Sequence, residues 1–185
     1  MVPLSIDPDA VPVAIAGRDR AVLARFSSVR AGAASALLYC DRPTPDIARL
    51  AGAALCPRLP TSADLAELRV LWIAGLADDE AAVLAAAARE ARVLVNVEDR
   101  PGLCDFHSVA EVRRGDLLLT VSTAGRSPGL AARIRARLEA EFGPEWAARV
   151  AALGAERAGW RHQRPSVAEL ARRTEAAIER AGWLS

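Results

Sequence analysis

Short, continuously apolar segments alternate with longer amphipathic segments through the first half of the chain. Strands that are apolar on both faces belong to parallel sheets covered by helices, and the crossovers between parallel strands are right-handed. The alternation therefore predicts an α/β fold with a Rossmann-like parallel sheet. A short helix between the second and third apolar segments is expected to begin at a Ser62 cap. The predicted strands cover residues 11–16, 36–40, 70–74 and 93–95.

The pattern changes after Phe106. Apolar segments at residues 109–112 and 117–121 flank an Arg-Arg-Gly-Asp turn, and this arrangement predicts a hairpin. The remainder has helical periodicity, and Pro128 directly after Ser127 is typical of a capped helix start. The expected helices cover residues 130–142, 145–158 and 167–181.

The composition excludes several classes of function. The 185 residues are 52% hydrophobic, and a net charge of +1 creates no broad field for nucleic acid or anionic lipid. We therefore expect neither nucleic acid nor a membrane as a partner. All basic residues except histidine are arginine, which excludes lysine Schiff-base chemistry and a P-loop lysine.

The cysteine and histidine content predicts no metal site and a reducing compartment. Cys40, Cys56 and Cys104 lack CxxC spacing, and only two histidines are available, so we expect no structural zinc and no bound metal. The odd number of cysteines, an N-terminus without a targeting pattern and the lack of a long apolar run predict a cytoplasmic protein.

The turn after the first predicted strand is where a dinucleotide-binding domain carries G-x-G-x-x-G, but here only Gly17 remains. Arg18 and Arg20 would offer positive charge to a phosphate, whereas Asp19 would repel one. Taken alone, this turn favours a structural role over a cofactor site. Asp41 follows Gly17 at close to the spacing of the acidic residue that binds the adenosine ribose. A turn cap beside the following proline explains Asp41 equally well.

Polar residues that could carry chemistry cluster after the fourth predicted strand. Asp99 and Asp105 are candidates for a general base or a hydrogen-bond acceptor, although spacing alone favours turn formation. Arg114 and Arg126 are candidates for binding carboxylates, because a guanidinium matches that geometry. The alternative is that they are solvated charges, and that Ser127 serves only as a helix cap.

Four short motifs, taken in this order, resemble the siroheme synthase family, the precorrin-2 dehydrogenase and sirohydrochlorin ferrochelatase domain. They are Asn-Val-x-Asp at residues 96–99, Leu-Cys-Asp-Phe at 103–106, Arg-Gly at 114–115 and Ser-Thr-x-Gly-x-Ser-Pro at 122–128. The resemblance extends from Pro3 to about Phe142 and is more specific than any one of the motifs.

The resemblance implies oxidation of precorrin-2 to sirohydrochlorin with NAD as cofactor. In many members, insertion of ferrous iron as a substrate follows and gives siroheme. The aspartate at the position of Asp99 is implicated in both steps as a general base or proton acceptor. The resemblance also implies a homodimer with an NAD-binding-type domain at residues 1–107, a dimerisation region at 108–143 and a helical domain at 144–185.

The implied use of NAD gives a role to residues already singled out by their spacing. Gly17, Arg18 and Asp41 are expected to bind the cofactor. The tetrapyrrole, whose carboxylates suit arginine, is expected to contact Asn96, Asp105, Arg114, Arg126 and Ser127.

The chain departs from the family pattern mainly in the NAD half of the site. The glycine-rich turn is reduced to Gly17, and Gly75-Leu76-Ala77 stands where the family has Ala-Thr-Asp. The sequence therefore leaves an alternative open, an NAD-independent chelatase or a non-catalytic tetrapyrrole-binding protein of the same fold. A Rossmann-like domain acting on an unrelated ligand is the third alternative.

Overall fold

The computed structural model describes residues 2–184. The chain divides into two compact units, of which the first ends at Ser108 and the second begins at Val109. In the described part of the chain, no helix is long and apolar enough to cross a membrane.

The first unit alternates strands and helices along its whole length, because each apolar run is followed by a segment of helical periodicity. Its strands are β1 (Val13–Gly17), β2 (Leu37–Tyr39), β3 (Leu55–Cys56), β4 (Val70–Ala74) and β5 (Leu94–Val97). Its helices are α1 (Asp19–Arg30), α2 (Pro45–Ala51), α3 (Ser62–Glu67) and α4 (Asp78–Glu90).

The five strands form one parallel sheet in the order β3-β2-β1-β4-β5. This confirms the predicted α/β fold with a parallel sheet, and the four predicted strands correspond to β1, β2, β4 and β5. The sequence did not indicate β3, which has only two residues, Leu55 and Cys56, and pairs with the end of β2. The central β1 lies between β2 and β4, so its five residues are all buried.

Helices cover both faces of the sheet, as its continuously apolar strands require. On one face, Phe26 of α1 belongs to the same buried cluster as Ile15 of β1. On the other, Leu65 of α3 and Ala85 of α4 belong to a cluster with Leu71 of β4. Burying each large side chain contributes roughly 1.5–3 kcal/mol, which makes the two clusters the main stabilising feature of this unit.

The cap of α3 differs from the prediction by one residue. Thr61, and not Ser62, precedes the helix, and its hydroxyl accepts a hydrogen bond from the Asp64 N–H group. The Asp64 carboxylate accepts one from the Thr61 N–H group in return at 2.7 Å. This capping box satisfies two N–H groups at the helix start, which a Ser62 cap could not do with the same partner.

The second unit begins with the predicted hairpin and continues in helices. Its elements are β6 (Ala110–Arg114), β7 (Leu117–Val121), α5 (Pro128–Glu141), α6 (Trp146–Arg161) and α7 (Val167–Ala181). β6 and β7 pair antiparallel, with Val112 opposite Leu119. Ser127 caps α5 through its hydroxyl, which accepts a hydrogen bond from the Leu130 N–H group at 3.4 Å.

Candidate functional site

The carboxyl ends of β1 and β4 form the point at which the strand order of the sheet reverses. β1 leads into α1 on one face, whereas β4 leads into α4 on the other. A crevice opens at such a switch point because the two connections diverge, and open α/β sheets bind their ligands there. The predicted cofactor residues Gly17 and Arg18 lie at this point, directly at the end of β1.

Two glycines allow the β1–α1 and β4–α4 turns to approach each other closely. A Cβ atom on Gly17, which has φ +152°, would lie 1.7 Å from the carbonyl oxygen of Ala74. A Cβ atom on Gly75, with φ +69°, would lie 2.2 Å from the carbonyl oxygen of Arg18. The Arg18 N–H group donates to the Ala74 carbonyl at 3.1 Å. Both glycines are therefore required for packing, and the sequence indicated this role only for Gly17.

The turn after Gly17 keeps the backbone form of a glycine-rich loop without its glycines. Asp19 stands two residues after Gly17, where the G-x-G-x-x-G motif has its second glycine, and it has a left-handed φ of +61°. Aspartate adopts this conformation more readily than most residues. Val22, at the position of the third glycine of the motif, is fully buried. α1 begins without a side-chain cap, so the N–H groups of its first turn are available to a ligand.

The Arg18 guanidinium joins two carboxylates beside this turn, and we call these three side chains the Arg18 cluster. Its Nε and Nη2 atoms donate to the two oxygens of Asp41 at 2.7 and 2.8 Å. Its Nη1 atom donates to Glu80 of α4 at 2.7 Å. The Arg18 side chain is only 12% exposed. The structure thus brings the predicted residues Gly17, Arg18 and Asp41 together and adds Glu80, which the sequence did not indicate.

The charges of the Arg18 cluster stabilise one another. The hydrogen bond from Arg18 lowers the pKa of the Asp41 carboxyl below its usual value. The same guanidinium lowers the pKa of Glu80. Hydrogen bonds to both carboxylates raise the pKa of Arg18 in turn. All three groups are consequently charged over the physiological pH range.

Asp99 lies in the turn that follows β5 and faces solvent. It has a left-handed φ of +59° and is exposed. Among residues 2–184, its carboxylate has no hydrogen bond and no ion pair. The neighbouring Glu98, by contrast, accepts a hydrogen bond from Arg25 of α1 at 3.0 Å. Asp99 is therefore the exposed carboxylate of this turn and has no cationic partner among the described residues.

Arg100 fixes the Asp99 turn against the start of α4. Its Nε atom donates to Asp78 at 2.9 Å, its Nη2 atom also contacts Asp78, and Nη2 donates to the Leu76 carbonyl at 3.1 Å. The Glu98 N–H group donates to the Ile73 carbonyl at 2.9 Å. The turn is thus anchored on both sides of Asp99. The sequence did not indicate Arg100, because its partner is 22 residues away.

The Leu-Cys-Asp-Phe motif runs back along the outer edge of β5 and covers it. The Asp105 carboxylate accepts a hydrogen bond from the Val95 N–H group at 2.9 Å and one from Arg89 at 2.9 Å. The Cys104 thiol lies 3.2 Å from both the N–H nitrogen and the carbonyl oxygen of Val97. These contacts occupy polar groups that an edge strand would otherwise leave unpaired.

The buried Asn96 of β5 also binds the Leu-Cys-Asp-Phe segment. It is 6% exposed, and its Nδ2 atom donates to the Phe106 carbonyl at 2.8 Å. Asn96 and Asp105 both therefore have partners within the protein that account for their residue types. Their expected contacts with a substrate remain predictions.

In the second unit, the predicted residues have different surroundings. Arg114 donates to the carbonyls of Phe142 and Glu139 at 2.9 and 3.3 Å and so caps the end of α5. Ser127 is the N-cap of α5, as described above. Arg126 is exposed, and its guanidinium has no partner among the described residues. Of these three side chains, Arg126 is the one available to a ligand.

Residues 2–184 contain no group of three or more histidine, cysteine, aspartate or glutamate side chains arranged to hold a metal ion. The Cys104 thiol instead bonds to backbone groups of the first unit.

Two protein families match the chain. Residues 4–110 match the family described as putative NAD(P)-binding. Residues 114–141 match the family described as sirohaem biosynthesis protein central. The first match covers more than half of the chain.

Individual relatives agree with these matches. A siroheme synthase from Methylococcus capsulatus is 48% identical over 64 residues, which are 34% of this chain and 14% of that protein. A siroheme synthase from Thioalkalivibrio sulfidiphilus is 31% identical over 157 residues, or 78% of this chain and 32% of that protein. The chain therefore spans about a third or less of these curated relatives.

The fold also matches a solved structure. A structure named SirC, precorrin-2 dehydrogenase, aligns with a TM-score of 0.77 over 100% of this chain and 93% of that chain. Sequence identity in this alignment is 18%, so the likeness concerns the fold.

Proposed function

Because the chain belongs to the siroheme synthase family, with an N-terminal domain of the NAD(P)-binding type, we propose that it oxidises precorrin-2 to sirohydrochlorin with NAD. This would make it an oxidoreductase of siroheme biosynthesis, a branch of porphyrin biosynthesis. The single observation that carries the proposal is the unpaired Asp99 carboxylate, held at the carboxyl end of β5 in such a domain.

The residues at the switch point fit a dinucleotide. The uncapped first turn of α1 offers N–H groups to the pyrophosphate. Asp41 lies at the end of β2, where an acidic residue binds the adenosine ribose. Both Asp41 oxygens already accept a hydrogen bond from Arg18, so a ribose would compete with Arg18 for this carboxylate.

Oxidation of precorrin-2 removes one hydride and one proton from the macrocycle. When bound, NAD supplies the acceptor for the hydride. Asp99 accepts the proton, because it is the carboxylate of its turn without a cationic partner among residues 2–184. The anchoring of the turn by Arg100 holds this carboxylate in position for the transfer.

Insertion of ferrous iron into sirohydrochlorin is a second step that we propose for the same site. It releases two protons from the pyrrole nitrogens, and Asp99 would accept them one after the other, passing the first to solvent before it takes the second. Iron here is a substrate. The occupation of Asp41 by Arg18 favours a second candidate function, an NAD-independent ferrochelatase, which is a lyase, or a non-catalytic tetrapyrrole-binding protein.

Partners and assembly are also proposed. The exposed Arg126 suits a carboxylate of the tetrapyrrole. A homodimer through residues 108–143 is supported by exposed apolar side chains in this segment, namely Val109, Leu130 and Ile134. A cytoplasmic location suits the three free cysteines.

The proposal is tested by incubating the purified chain with precorrin-2 and NAD under anaerobic conditions. We expect the absorption spectrum of sirohydrochlorin to appear together with equimolar reduced nicotinamide. Parallel reactions without NAD, and with sirohydrochlorin and ferrous iron, separate the two candidates. Iron insertion without any oxidation of precorrin-2 would favour the chelatase, and conversion in neither reaction would exclude both enzymes.

A further inference from the structure

We propose that Arg18 is a gate on the dinucleotide site. Its side chain occupies the carboxylate of Asp41, and NAD binds only when this contact opens. The inference rests on the proposed NAD-dependent function and adds a residue that sets the affinity and choice of the dinucleotide.

The contact between Arg18 and Asp41 engages both carboxylate oxygens that a ribose would use, so a ribose competes with the guanidinium for them. Two parallel hydrogen bonds of 2.7 and 2.8 Å join the guanidinium to both carboxylate oxygens. This fork geometry is the strongest form of an arginine–carboxylate pair. The pair is also partly removed from solvent, with side-chain exposures of 12% for Arg18 and 29% for Asp41. Its attraction is therefore less weakened by water than that of an exposed surface pair.

Glu80 holds the guanidinium from the opposite side of the switch point. Arg18 follows β1, Asp41 follows β2 and Glu80 belongs to the first turn of α4. The Arg18 cluster thus spans the crevice into which the adenosine half of a dinucleotide would enter. Glu80 already accepts a hydrogen bond from the Ala77 N–H group at the start of α4. Because this hydrogen bond between Ala77 and Glu80 does not involve Arg18, the start of α4 keeps it when Arg18 is replaced.

A closed gate lowers the apparent affinity by the fraction of molecules in which it is open. Removing the Arg18 side chain makes both oxygens of Asp41 available to the ribose hydroxyls. Without Arg18, no cation neutralises the Asp41 carboxylate, which would therefore repel the 2′-phosphate of NADP. The increase in affinity on removing Arg18 is therefore larger for NAD than for NADP.

The experiment is a calorimetric titration of NAD and NADP into wild type, Arg18→Ala and Arg92→Ala. Arg92 is the control, because it is an exposed arginine of the same unit, lies beyond the end of α4 and has no ion pair among residues 2–184. We expect Arg18→Ala to bind NAD about fivefold or more tightly than both other proteins, with a smaller gain for NADP. Arg18→Gln, which keeps a shorter polar side chain without the guanidinium fork, replaces Arg18→Ala if that variant does not fold.

NAD binding by the Arg18 variant that is equal to or weaker than that of wild type would contradict the gate. An equal increase in affinity for NAD and NADP would contradict it as well. Glu80→Gln provides a second comparison, because it leaves the Arg18–Asp41 contact in place. If NAD affinity rises as much in Glu80→Gln as in Arg18→Ala, the claim that Arg18 competes with NAD for Asp41 would also be wrong. If no variant and no wild-type protein binds either dinucleotide, the gate and the NAD-dependent function fail together. Binding by wild type without a gain in the Arg18 variant overturns the gate alone.

Discussion

Arg100 binds Asp78, with 2.9 Å between Nε and Oδ1, and thereby ties the turn after β5 to the first turn of α4. Asp99 precedes Arg100 and is exposed without a partner among the described residues. A solvent-facing carboxylate in a loop would ordinarily sample many positions. Here the backbone on both sides of Asp99 is fixed by contacts to neighbouring elements.

The first prediction concerns this anchoring. Arg100→Ala removes the contacts to Asp78 and Leu76 but leaves the Asp99 carboxylate intact. We expect kcat for precorrin-2 oxidation to fall about tenfold or more, because a small displacement of a reacting group has a large effect on rate. Steady-state kinetics measure this effect. Arg92→Ala, at an exposed arginine beyond the end of α4, should leave kcat unchanged. Equal rates in both variants would show that Arg100 does not position the turn.

The second prediction separates Asp105 from Asp99. Asp105→Asn replaces one of the two acceptor oxygens by a donor and removes the charge, so the hydrogen bonds from Val95 and Arg89 cannot both be kept. The free energy of unfolding should fall by about 1.5 kcal/mol, which is typical of hydrogen bonds to a charged group. Asp99→Asn should change it by less than about 0.5 kcal/mol, since the side chain is exposed and asparagine tolerates a positive φ. Denaturant unfolding of both variants measures the difference. Equal stabilities would contradict the structural role of Asp105.

The third prediction compares two arginines of the second unit. Arg114→Ala removes donors from the last carbonyls of α5, so amide hydrogen exchange in α5 should accelerate. Arg126→Ala should leave that exchange unchanged, because Arg126 has no partner among the described residues. If Arg126 binds a tetrapyrrole carboxylate, its loss should instead raise KM for precorrin-2. An unchanged KM would remove Arg126 from the proposed site.

The fourth prediction is a titration of Tyr39, the single tyrosine of the chain. Burial, followed by the charge of Asp64, raises the pKa of Tyr39 to about 12. The neutral phenol is thus favoured in the folded state, relative to an ordinary pKa of about 10. Its contribution to stability is complete below about pH 10 and is lost as the pH rises towards 12.

Tyrosinate absorbance measures this titration. The folded protein should ionise near pH 12, and the protein in denaturant near about pH 10. Coincident titrations of a chain that circular dichroism shows to be folded would contradict the assigned environment of Tyr39.

The sequence predicted the architecture of the sheet well, for a physical reason. Strands buried on both faces must be continuously apolar, so β1, β2, β4 and β5 could be recognised from local composition. β3 could not, because Leu55 and Cys56 are too few to form a pattern and pair only through their neighbour β2. The cap of α3 at Thr61 rather than Ser62 was missed because adjacent hydroxyl residues have equal local preference.

The candidate site could be predicted only in part. Gly17, Arg18 and Asp41 were identified from their spacing along the chain, and the fold brings them together. Glu80 and Arg100 were missed because their partners are distant in sequence and meet only after folding. Tertiary contacts also account for Asp105, whose carboxylate covers the edge of β5 in a way that spacing could not indicate.

The most direct test of the account is the turnover of precorrin-2 by wild type and Asp99→Asn with saturating NAD. Sirohydrochlorin and reduced nicotinamide should be followed together in each reaction. We predict that the variant loses a factor of about 10²–10⁴ in rate, as expected for removal of a general base, while its NAD affinity and thermal unfolding remain unchanged. Wild-type turnover in Asp99→Asn would contradict the assignment of Asp99 as the proton acceptor.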